Sequence, residues 1–138
     1  MADRKSYVIV CDDLWISLLG KINLIGTYTQ DIVISGQAVA VPQMVFYFVC
    51  ETDKEDPFQS ISLQVEFPGD APRIMPVQFM PHPTVTDPTR NKIVLKQPFL
   101  IQNVILRPGR IKATVIDGGR AIDAGGIWIT SLLTTSGH

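Results

Sequence analysis

Charge and histidine are scarce in this chain. Only 18% of the 138 residues are Asp, Glu, Lys or Arg, against about 25% in ordinary globular domains. Twelve basic residues face 13 acidic ones, a net charge of -1. A protein that holds nucleic acid by bulk charge needs a basic excess, so no nucleic-acid partner is expected. The two histidines are His82, between Pro81 and Pro83, and His138, the last residue. General acid–base chemistry needs a partner within hydrogen-bond reach of the imidazole. No Ser or Cys close to a histidine offers a nucleophile, so a small hydrolase would need a pocket that gathers His82 with a carboxylate. The expectation is a protein that is not an enzyme, with no catalytic residues, no bound metal and no cofactor. Cysteine is equally sparse. Cys11 and Cys50 lie in apolar runs, too far apart in sequence for a zinc spacing, and read as reduced thiols in the core.

Helix formers are also few, with 7 Ala and 3 Glu, whereas Val, Ile and Thr together make 39 of the 138 residues. Branching at Cβ stiffens a side chain and suits it to a pleated sheet. Ten glycines and ten prolines, spread between short apolar runs, supply the turn punctuation of a sandwich or barrel. About nine strands are predicted, at the roughly 8–12-residue spacing of a β-sandwich. The fold class is therefore all-β: one antiparallel β-sandwich domain over residues 1–138, Greek-key or Ig-like, with loose tails at 1–5 and 134–138.

Along the chain, residues 7–16 read as one or two strands interrupted at Asp12-Asp13. A turn at Leu18-Leu19-Gly20-Lys21 leads into a second strand, and residues 31–35 form a short one. Residues 43–51 make a strong strand. In residues 58–67, Ile61, Leu63, Val65 and Phe67 alternate with Ser60, Ser62, Gln64 and Glu66, a strand with one buried and one wet face. Six prolines fall between Pro68 and Pro88. They predict an edge or bulged strand over 73–80 and an irregular loop over 81–91, because proline cannot donate to a ladder. Closing strands are expected at 92–96, 99–106, 110–117 and 126–133. Gly118-Gly119 and Gly125-Gly126 are read as hairpin glycines, not a phosphate loop, since no helix pattern follows them.

Met1 to Lys5 is basic, but the apolar stretch after it stops at Asp12, shorter than the roughly 7–15 residues of an export signal. The uncharged run over 32–50 is broken by Ser35, Gly36, Gln37, Pro42 and Gln43, and does not supply the roughly 20 apolar residues of a spanning helix. A soluble, cytoplasmic protein with no membrane partner is expected.

Cys11-Asp12-Asp13, followed by Gly20-Lys21-Ile22-Asn23-Leu24-Ile25-Gly26-Thr27-Tyr28 and Asp31-Ile32, resembles the opening of a family of small bacterial proteins catalogued as a domain of unknown function. The likeness covers about the first quarter of the chain. It implies a β-rich fold and brings no catalytic residue. The Ser17-Leu18-Leu19-Gly20 turn is more apolar than the polar or acidic turn of that family.

Two surfaces are candidates for function. Residues 7–11 and 44–50 are apolar at every position, although each sheet of a sandwich has one inner face only. Strands apolar on both sides are expected where both sides are covered. If Phe46 and Phe48 point inward, Val45, Tyr47 and Val49 point out, a patch that a monomer does not normally expose. Val8, Val10, Val45, Tyr47 and Val49 are thus the candidate interface of a homo-oligomer, or of an unidentified protein partner. Cover by the chain's own 68–88 region is the other explanation. The second surface is acidic. Asp12 and Asp13, joined by Asp53, Glu55 and Asp56 and by a loop over 117–123, could form a ligand or calcium site. Calcium wants roughly six to eight oxygens, and the ordered Asp-x-Asp pattern is absent, so turns bonded to their own backbone explain the same residues.

Overall fold

A computed structural model describes residues 4–77 and 91–132 of the chain. Nine strands run through them: β1 (Lys5–Ile16), β2 (Ile22–Thr27), β3 (Ile32–Ser35), β4 (Val39–Asp53), β5 (Ile61–Glu66), β6 (Arg73–Val77), β7 (Lys92–Leu106), β8 (Gly109–Asp117) and β9 (Arg120–Leu132). They form two sheets, one ordered β2-β1-β4-β7 and the other β3-β9-β8-β5-β6. The chain crosses between the sheets in five of its eight connections and turns back within a sheet in the other three. All pairings are antiparallel except β3 with β9, which is parallel, a departure from the all-antiparallel expectation.

The inner faces of the sheets meet in one apolar layer. β4 sends Met44, Phe46, Phe48 and Cys50 into it, β5 sends Ile61, Leu63 and Val65, and β8 sends Ile111, Ala113 and Val115. The spacing of two in each set is the pleat of a strand expressed as burial. Phe46 of the first sheet meets Phe67 at the end of β5 edge to face, with ring centroids 5.7 Å apart. Full burial of a side chain of this size is worth roughly 1.5–3 kcal/mol. Cys50 lies in this layer beside the Ser6 hydroxyl, and both cysteines are free thiols.

The structure departs from the sequence reading at several strands. β1 is continuous through Asp12-Asp13, because β2 pairs alongside it from Cys11 to Ile16. The segments 92–96 and 99–106 are a single 15-residue strand with Pro98 inside it, opposite Tyr47. β7 has β4 as its one neighbour, and an edge strand has a free side on which a missing N–H costs nothing. β4 starts at Val39 and includes Pro42, where the paired residues step from Val41–Val104 to Gln43–Gln102. Asn103, facing that step, adopts φ +56°, a conformation asparagine tolerates better than most residues. β6 carries Pro76 at the edge of the second sheet, where an edge strand was expected.

Gly118 and Gly119 join β8 to β9, with Gly118 at φ +61°. Gly125 and Gly126 belong to no hairpin. They lie inside β9, where the register against β8 shifts between Lys112 and Thr114. A Cβ on Gly126 would stand 2.0 Å from the carbonyl oxygen of Ile111, so only glycine fits. The start of the chain is also tighter than expected, since Lys5 opens β1 and the Arg4 side chain is 7% exposed. The predicted 81–91 loop and the 134–138 tail lie outside the described residues, apart from Asn91, as do His82 and His138.

Candidate interaction surface

The register of β1 on β4 fixes which side chains share the outer face of the four-stranded sheet. Val8 stands opposite Phe48 and Val10 opposite Phe46, so these two valines join the inner layer. This corrects their assignment to the interface. Alternate residues of β1, namely Tyr7, Ile9 and Cys11, pair with Val49, Tyr47 and Val45, and all six side chains share the outer face. β7 extends it with Pro98 beside Tyr47 and Leu100 beside Val45. Val45, Tyr47 and Val49 are buried, yet they lie apart from the inter-sheet core. Around them Tyr7, Val94 and Leu100 are roughly half exposed. Lys5, Glu51 and Lys96 charge this face where β1 begins, and Asp13, two residues beyond Cys11, charges its other end beside Gln43.

Burial, then the nearby Tyr7, pushes the Tyr47 phenol above its ordinary pKa. Burial, then Asp12, does the same to the Cys11 thiol, so both groups are neutral at physiological pH. The outer face of the five-stranded sheet is different in kind. There Arg110, Lys112 and Thr114 of β8 alternate with core residues, Ser62, Gln64 and Glu66 do so on β5, and Arg110 rests over the ring of Trp128.

The acidic candidates do not come together. By register, Asp53 lies two residues beyond the level of Lys5 and Asp12 seven residues the other way, a separation of about 30 Å at about 3.3 Å per residue. Asp12 accepts a 2.6 Å hydrogen bond from the Tyr28 hydroxyl. Desolvation first and this bond second push Tyr28 up to about 12. Asp13 accepts from the Leu14 amide at 2.8 Å and from the Gln43 side chain at 3.2 Å. Asp53 pairs with Lys92, Glu55 is exposed, and Asp56 pairs with Arg4 at 3.1 Å and Arg120 at 3.0 Å. The Arg120 hydrogen bond is the largest influence holding the Asp56 carboxyl below its usual range.

What does assemble at that end is an ion network. Asp117, at the close of β8, is buried. One carboxylate oxygen accepts from the amides of Gln59 at 3.1 Å and Ser60 at 3.0 Å, and the other takes Arg4. The Arg4 guanidinium lies 5.2 Å from the Phe58 ring centroid. The network ties the start of β1 in one sheet to the β8–β9 turn in the other, so its role is structural. Asp117 has a sequence signal, because it occupies the inward phase of Ile111, Ala113 and Val115; Arg4 has none.

Among the described residues no group of three His, Cys, Asp or Glu could hold a metal ion, and no helix is long and apolar enough to cross a membrane. An open crevice of about 460 Å³ lies between β6 and β7. Arg73 is the one charged residue among those described that line it. Compared with known proteins, the chain matches no family model, no curated protein and no solved structure.

Proposed function

We propose that the chain is a non-enzymatic interaction module that self-associates through the outer face of its four-stranded sheet. The contrast between the two outer faces carries this reading. On the five-stranded sheet the exposed apolar side chains, Val33, Ile74 and Trp128, stand among Arg110, Lys112, Ser62, Gln64 and Glu66, so charge interrupts that face at its centre. The other presents Tyr7, Ile9, Pro98 and Leu100 around a buried row of Val45, Tyr47 and Val49. Val45, Tyr47 and Val49 are already buried in the single chain, so what a second copy would cover is the exposed apolar rim of Tyr7, Val94 and Leu100. An exposed apolar patch of this kind marks a protein contact. A second copy is the occupant that fits. Charge stands at the two ends of the face, Lys5 directly opposite Glu51 at one and Asp13 at the other, and its centre is uncharged, so two copies meeting about a two-fold axis bring their apolar centres together. Light scattering across micromolar to near-millimolar concentration tests the proposal. The mass should rise to that of a dimer or a larger closed assembly, and a strict monomer throughout would overturn it.

A further inference from the structure

The β1–β2 hairpin ends in a turn that neither the core nor the proposed interface uses. Leu18 and Leu19 at its tip are essentially fully exposed, and Trp15 and Ile16 on its ascending strand are about two-thirds exposed. Beyond Cys11, β1 leaves β4 and pairs with β2 alone, so the tip stands clear of the central strands. Two properties define what it can meet. The first is charge: from residue 14 to residue 30, Lys21 is the one charged side chain and no carboxylate occurs. The second is that the turn closes on itself. The Ser17 amide donates to the Lys21 carbonyl at 2.9 Å, the Gly20 amide donates to the Ser17 carbonyl at 2.9 Å, and the Lys21 amide donates to the Ser17 hydroxyl at 3.2 Å. These bonds hold the base of the turn, so Leu18 and Leu19 project from a fixed loop. The tip offers two leucines, and of the flanking polar side chains the Ser17 hydroxyl is taken up by the Lys21 amide, which leaves the Lys21 ammonium.

From these features we infer that the tip is a membrane-surface anchor, in which Leu18 and Leu19 enter the acyl region of an anionic bilayer. Trp15 sits at the headgroup level, where indole is favoured, and Lys21 faces the acidic lipid headgroups. A hairpin that dips into one leaflet needs no spanning segment, so the sequence argument against a membrane helix does not bear on it. Insertion of this kind is shallow and reversible, because two leucines bury little apolar area.

The experiment is co-sedimentation of the full chain with phosphatidylcholine vesicles, with and without phosphatidylserine. Tryptophan fluorescence is read on a Trp128→Phe background, so that Trp15 alone reports. The chain should pellet with phosphatidylserine vesicles, and Trp15 emission should shift to the blue. A Leu18→Ser/Leu19→Ser variant should lose binding at least tenfold, and Lys21→Gln should weaken binding to the anionic vesicles only. These side chains face solvent, and an unchanged circular dichroism melt will show that the variants fold. Absence of pelleting by the parent chain would overturn the inference, as would equal binding by the double variant. A fall in oligomer mass in lipid-free buffer on the same double substitution would also overturn it, by assigning the tip to a protein contact.

Discussion

Replacement of Asp117 by alanine should cost more stability than any other single polar substitution among the described residues. The Asp117 carboxylate is 3% exposed and its Arg4 partner 7%, so the pair lies where water cannot take over. Removing one partner of a buried ion pair costs about 3–5 kcal/mol when the other charge stays behind uncompensated; Arg4 keeps Asp56 at 3.1 Å, so the lower end of about 3 kcal/mol applies. The same carboxylate accepts the amides of Gln59 and Ser60, and a buried donor left without an acceptor costs about 1–3 kcal/mol. These penalties share one cause and overlap. A loss of about 5 kcal/mol is expected, against a total stability of about 5–15 kcal/mol for a native domain. In urea, with a slope of about 2 kcal/mol per molar, the midpoint followed by circular dichroism should fall by about 2.5 M. Asp117→Asn keeps an oxygen for the two amides and should lose about 3 kcal/mol. Adding Arg4→Met to it removes a buried cation left with Asp56 alone, and with it an Nε atom that has no hydrogen-bond partner, while Asp56 keeps Arg120 at 3.0 Å, so the double variant should be more stable than Asp117→Asn alone. A loss below about 1 kcal/mol for Asp117→Ala, where a buried pair requires about 3 or more, would refute the reasoning. So would a double variant no better than the single.

Two further outcomes follow from local geometry. Tyr28 titrates at about 12 in the folded chain, against 10.0 for an ordinary tyrosine. The folded state therefore holds this proton where the unfolded state releases it, and the associated stability is complete below pH 10 and lost as pH rises toward 12. Ultraviolet difference titration should show one tyrosine ionising late, and Asp12→Asn should bring it earlier by removing the carboxylate charge beside it. Gly126→Ala should destabilise the fold by about 3 kcal/mol, the upper range for overpacking, because the new methyl meets the Ile111 carbonyl, a backbone atom that cannot swing aside; an unchanged urea midpoint would show that the strands part freely there.

Where one face of a strand is wet, its phase can be read from residues alone. The alternation of Ile61, Leu63 and Val65 with polar neighbours in β5 reappears directly as buried and half-buried positions. A strand apolar on both sides carries no such phase. Sequence alone therefore puts Val8 and Val10 at the interface, whereas pairing with Phe48 and Phe46 turns them inward and puts Tyr7, Ile9 and Cys11 outside. Pro98 broke β7 in two on paper, because proline is forbidden only where both sides of a strand are paired, and edge position is a property of topology. The ion network joins residues 113 apart in sequence, beyond the reach of any local pattern. The apolar character of Leu18-Leu19 was plain from sequence, but its exposure needed the hairpin's path away from β4.

The most direct measurement of the central claim is the light-scattering mass of two matched variants, one on each outer face. Tyr7→Glu alters the four-stranded sheet and Val33→Glu the five-stranded one, at positions 54% and 55% exposed in the single chain. Tyr7→Glu should give a folded monomer while Val33→Glu keeps the parent's mass. Equal masses for the two, or a monomer from Val33→Glu alone, would contradict self-association through the four-stranded sheet.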